Sequence, residues 1–136
     1  MEETRRIIKS YILNHTITDL DLEIKRVATD FRSRIQPNTM LMVKSLYHLN
    51  SKFVLSRISK NIFMENKAIG WAHIVGLLAV GKIIIDQSNE SVGCLEETVG
   101  WLTVFIHGLL LKYSTSWNDF LTWSKQRPSQ KMCIIL

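Results

Sequence analysis

Cysteine and proline are scarce in this 136-residue chain, with two of each, and glycine is held to six. The cysteines, Cys94 and Cys133, lie far apart and suggest no disulfide framework, so a reducing intracellular compartment is the default expectation. So few prolines and glycines leave long unbroken segments, as an all-helical chain requires. The opening MEETRRIIKS starts acidic and has no apolar core of a secretory signal, so the chain is not expected to be secreted. No glycine-rich phosphate loop, no nucleophile in a recognisable setting and no paired carboxylates in an apolar stretch are present; Glu96 and Glu97 read as solvated first turns of a helix. His15, His48, His73 and His107 lack ligand spacing, so neither a metal nor a cofactor is expected, and the chain reads as a non-enzyme. The net charge of +5 is scattered rather than gathered in a stripe, which argues against a nucleic-acid partner.

What is present is apolar periodicity. The segment 69–85, IGWAHIVGLLAVGKIII, is apolar on every side save His73 and Lys82. A helix apolar all round must be surrounded by protein or lipid. At about 1.5 Å per residue it reaches roughly 25 Å, short of the ~30 Å bilayer core, so a buried central helix is expected. A second apolar helix is expected over 91–112 after the polar turn DQSNES, the two forming a buried antiparallel hairpin. Around them, Ile7, Ile8, Tyr11 and Ile12 mark a helix over 2–14, and Ile24, Val27, Ala28, Phe31 and Ile35 mark one over 19–36 capped by Thr18 or Asp19. Further segments follow Pro37 (Met40 to Tyr47) and Asn50-Ser51 (Phe53 to Phe63), and a last short helix starts at Trp117. The expectation is an all-α bundle of about seven helices in one domain, 1–127, with a flexible tail over 128–136.

Two tryptophan motifs carry a resemblance. Gly70-Trp71-Ala72-His73-Ile74-Val75 is similar to the first homology motif (BH1) of Bcl-2 proteins, usually Asn-Trp-Gly-Arg-Ile-Val. Thr115-Ser116-Trp117-Asn118-Asp119-Phe120, 46 residues beyond Trp71, resembles the second (BH2), usually Gly-Gly-Trp-Asp-x-Phe. A weaker match is Ile24-x-x-x-Ala28-Thr29-Asp30-Phe31, where a BH3 helix has Leu-x-x-x-Gly-Asp-x-Phe. Losing the Gly-Asp pair makes the chain a poor BH3 donor. The short chain and divergent motifs look most like a viral pro-survival member.

The resemblance implies a Bcl-2-like bundle that inhibits host apoptosis by sequestering BH3 helices of pro-apoptotic proteins in a hydrophobic groove. That groove would be lined by Phe31, Ile35, Met42, Leu46, Leu55, Ile58, Ile62, Gly70, His73, Val75, Gly76 and Val80, with Trp71, Trp117 and Phe120 as structural members of the motifs. Taken singly, each apolar member reads more simply as an ordinary core residue. His73 stands where the family has its ligand-pairing Arg and lacks both permanent charge and bidentate fork, so binding through it would strengthen as pH falls. Thr115-Ser116 in place of Gly-Gly puts the tight turn before the last helix in question. Cys133-Ile134-Ile135-Leu136 reads as a prenylation sequence, with Lys125, Arg127 and Lys131 as a second membrane signal. The implied setting is host cytoplasm, peripheral on intracellular membranes such as mitochondria. Two other readings stand beside it. One is an interaction module of the same fold whose groove is closed or covered by a homodimer, acting on innate-immune signalling; the other is a membrane-perturbing helical protein.

Overall fold

The computed structural model describes residues 1–33, 41, 54–60, 70–87 and 92–126, and these are all-α, with no strand among them. Five helices are bounded: α1 (Glu2–Ile12), α2 (Asp19–Arg32), α3 (Trp71–Gln87), α4 (Val92–Lys112) and α5 (Trp117–Gln126). Residues 54–60 are also helical, and Leu41 is an exposed helical residue. The remainder of the expected third and fourth segments, the turn 88–91 and the tail lie outside the described residues.

The α1 stripe is buried as expected: Ile7, Ile8, Tyr11 and Ile12 all face the core. The helix stops at Ile12 because the chain turns left-handed at Asn14 (φ 61°), and His15 N–H and Asn14 N–H donate back to Ser10 O (2.8 Å) and Tyr11 O (3.1 Å). Asparagine tolerates that conformation better than most side chains. Thr18 then caps α2: its Oγ accepts from Asp21 N–H at 3.1 Å, and Asp21 Oδ2 accepts from Thr18 N–H at 3.1 Å. Two orphan amide donors are thereby satisfied. Asp21 is buried and Arg6 reaches it at 3.2 Å, so the cap also fixes α1 to α2. The helix α2 ends at Arg32, four residues before the expected 36, where the Ser33 hydroxyl donates to Asp30 O at 2.7 Å.

The central helix is displaced by two residues from the expected 69–85. Gly70 caps rather than joins it, its carbonyl accepting from His73 and Ile74 N–H, and Asp86 extends the far end while pairing with Arg32 at 3.2 Å. Of Trp71 to Asp86, only Ala72, His73, Lys82 and Asp86 are not buried. It packs on α2, α4 and α1, and Val54, Leu55 and Ile58 join the same core. Trp71 and Ile74 line one cavity with Leu109 and Tyr113, Gly81 lies against Leu102 and Thr98, and Ile85 lines another cavity with Leu95, so α3 and α4 run antiparallel. Between them a Cβ on Gly81 would stand 2.8 Å from Leu102 Cδ1, so the absence of a side chain there lets the two helices pack closely.

One expectation is corrected here. The helix α4 is not buried all round: Thr98, Val99, Leu102, Thr103, Ile106 and Leu110 face inward, while Val104 is 64% and Leu111 68% exposed. Its apolar residues occupy both faces, so composition alone overstates its burial.

Candidate binding surface around the central helix

The two tryptophan motifs, 46 residues apart, meet in space. Trp71 lies 5.3 Å from Trp117 and 5.4 Å from Phe120 between ring centroids, and Trp123 extends the cluster at 5.8 Å from Phe120. Edge-on and tilted pairs at such distances are favourable. The indole Nε1–H of Trp117 donates to Thr4 Oγ1 at 3.1 Å, with both residues 3% exposed, which ties α5 to the first turn of α1. Nothing in the sequence singles out Thr4.

The turn ahead of α5 is made without the Gly-Gly pair. The left-handed residue is Ser114 (φ 50°), and Thr115 N–H and Ser114 N–H donate to Leu110 O (3.0 Å) and Leu111 O (3.3 Å). Thr115 and Ser116 are then engaged in capping: the Thr115 hydroxyl and the Ser116 N–H both donate to Asp119 Oδ2, at 2.8 and 3.1 Å.

At the start of α3, His73 is half-buried and its Nδ1 accepts from Gly70 N–H at 3.1 Å. Burial holds its pKa below the ordinary 6.5. While that hydrogen bond stands, Nδ1 carries no proton, and the neutral ring bears it on Nε2. The sequence expectation of easy charging on mild acidification is thus opposed by its surroundings. Beside it, Gly70, Trp71, Ile74, Leu109, Tyr113 and Thr115 line a cavity of about 160 Å³, the size of one large side chain.

The other residues expected to line a groove divide clearly. Phe31, Leu55, Ile58, Val75, Gly76 and Val80 are buried, and all but Gly76 belong to the single apolar core that runs through the bundle. Gly70 is exposed and His73 half-buried. Ile35, Met42, Leu46 and Ile62 lie outside the described residues, as does Cys133.

At the opposite end of α3, Lys82 has a definite task. Its Nζ donates to Ile12 O at 2.9 Å, at the carbonyl end of α1, and sits 5.7 Å from the Tyr11 ring centroid. A cation there complements the helix dipole. Burial pushes the Tyr11 phenol up, so it stays neutral. A cavity of about 310 Å³ opens alongside, lined by Ile12 to Asn14, Lys82, Ile85, Asp86 and Leu95. The sequence shows Lys82 only as an interruption of an apolar segment.

No protein-family model, curated protein or solved structure matches the chain.

Proposed function

We propose that this chain is a non-enzymatic member of the seven-helix Bcl-2-like bundles that inhibits apoptosis by holding BH3 helices of pro-apoptotic proteins against α3. The observation that supports the reading is that Phe31, Leu55, Ile58, Val75 and Val80, from three separate segments, belong to one apolar core, of which the packed pair Trp71 and Trp117 is also part. An amphipathic ligand helix enters as α2 and the stretch 54–60 part, and its apolar anchors replace the contacts these residues make with one another. Capture is favourable where the anchors bury more apolar surface than the opening exposes. His73, neutral because burial holds its pKa down, lacks the permanent charge and the fork with which an arginine holds a carboxylate.

Adding a BH3 peptide to the isotope-labelled protein should shift backbone amides of α2, 54–60 and α3 while leaving α5 unmoved. Absence of any shift at saturating peptide would remove the reading. A second reading has its own observation in favour: the same cluster is closed to solvent, with Phe31 at 1% and Val75 and Val80 at 0% exposure. In that case the chain is an interaction module whose groove stays shut, and the peptide shifts nothing.

A further inference from the structure

We infer that the cavity beside Lys82 is a binding site for a small aliphatic carboxylate, its anionic head at the ammonium and its chain against the apolar wall. The cavity, about 310 Å³, lies between the end of α1, the last two turns of α3 and the opening turn of α4. That volume is at the lower end of the ~300–1,000 Å³ of small-molecule sites, which combine apolar walls with a few polar groups. Here Ile12, Leu13, Ile85 and Leu95 supply the wall, and Asn14, Lys82 and Asp86 the polar groups. The site is at the far end of α3 from His73 and the tryptophan cluster, so it does not rest on the capture of BH3 helices.

Charge selects the ligand. Lys82 is partly buried, and an ammonium has three hydrogens to donate. One goes to Ile12 O at 2.9 Å, and the Tyr11 ring centroid stands 5.7 Å away. Among the described residues no carboxylate lies within ion-pair distance of Lys82. Asp86, one turn further along α3, is spaced to pair with it but is engaged by Arg32 at 3.2 Å. Glu96, next to Leu95, is engaged by Arg5 and Lys9. The carbonyl end of a helix carries only part of a charge, so it neutralises the ammonium incompletely. Lys82, Arg32 and Asp86 together leave one positive charge at the edge of the cavity, which a monoanion matches and a cationic ligand does not. A carboxylate also has oxygens to accept from the remaining ammonium hydrogens. The apolar wall rewards an aliphatic chain behind that head.

Octanoate is the probe. Titrated at millimolar concentration into the isotope-labelled full chain, it should shift the backbone amides of 12–14, 82–86 and Leu95 and leave those of Trp71 and Trp117 unmoved. Octanol, which has the chain without the charge, and acetate, which has the head without the chain, should each bind tenfold or more weakly, and octylammonium should shift nothing there. Leu13→Glu, at a position 37% exposed, sets a carboxylate of the chain's own beside the cavity. It should retain the circular dichroism and melting temperature while weakening octanoate tenfold or more. Lys82→Met, checked for folding in the same way, should weaken octanoate to the level of octanol. Octanol binding as tightly as octanoate would overturn the choice of a carboxylate. Octanoate shifts that fall elsewhere, no shifts at all, or an affinity unchanged by Leu13→Glu would overturn the site.

Discussion

The bond from Trp117 to Thr4 closes the bundle between its first and last described helices, and its contribution can be isolated. Trp117→Phe removes the Nε1–H donor 3.1 Å from Thr4 Oγ1 in a place where both residues are 3% exposed. Losing the bond and leaving the hydroxyl without it costs about 1–2 kcal/mol. The smaller ring leaves a void worth roughly 1 kcal/mol more, because Trp71 and Phe120 already pack against it. The single variant should therefore lose about 2–3 kcal/mol, a fall in melting temperature of roughly 8–12 °C for a chain of this size. Thr4→Val, nearly the same shape, strands the indole N–H and should cost about 1–2 kcal/mol. The double variant strands neither group, so it should be about 1 kcal/mol more stable than the sum of the singles predicts. Guanidinium unfolding of the four proteins measures this cycle. Additivity within ~0.3 kcal/mol would refute the bond's role.

Three further outcomes follow from the same geometry. Lys82→Met should destabilise by about 1–2 kcal/mol, read by denaturant midpoint, because the carbonyl end of α1 loses its cation at Ile12 O. Ser114→Gly should stabilise by roughly 0.5–1 kcal/mol by relieving a left-handed serine, a gain that thermal unfolding would show as a raised midpoint. His73 is protonated less readily folded than unfolded, so the unfolded chain binds more protons below about pH 6.5. Its contribution to stability is accordingly full above pH 6.5 and declines as pH falls from there toward the lower folded value. His73→Asn, which retains an acceptor for Gly70 N–H but cannot titrate, should flatten that part of the stability profile measured from pH 7 to 5.

Helical periodicity made much of this fold legible. The stripes of α1 and α2 and the all-round apolarity of α3 each state a burial pattern that side-chain spacing alone dictates. The boundaries of α3 were less legible, because Gly70 can cap or join a helix and Asp86 reads as a turn former until Arg32 is seen beside it. The two faces of α4 were hidden for a different reason. Val104 and Leu111 are as apolar as Leu102 and Ile106, so the sequence holds no contrast to show which side faces the core. Contacts between distant positions, such as Thr4 with Trp117 or Lys82 with Ile12, involve residue types common in any helix and carry no local signal. The candidate groove shows the same limit. Spacing can place Phe31, Leu55, Val75 and Val80 on inward faces, but a floor covered by its own chain and a floor awaiting a ligand have the same pattern.

The most direct test of the proposed capture of BH3 helices is calorimetric titration of the full chain with a panel of BH3 peptides at neutral pH. Gly70→Glu is the informative control: Gly70 is exposed, its φ is not left-handed and nothing lies within 4 Å of an added Cβ, so the fold should survive. Charged substitutions at Val75 or Gly76 are less useful, since both are buried and would disturb the core itself. The account predicts saturable binding to at least one peptide, weakened tenfold or more by a carboxylate at position 70 next to His73. A folded protein that gives no binding heat with any peptide would contradict it.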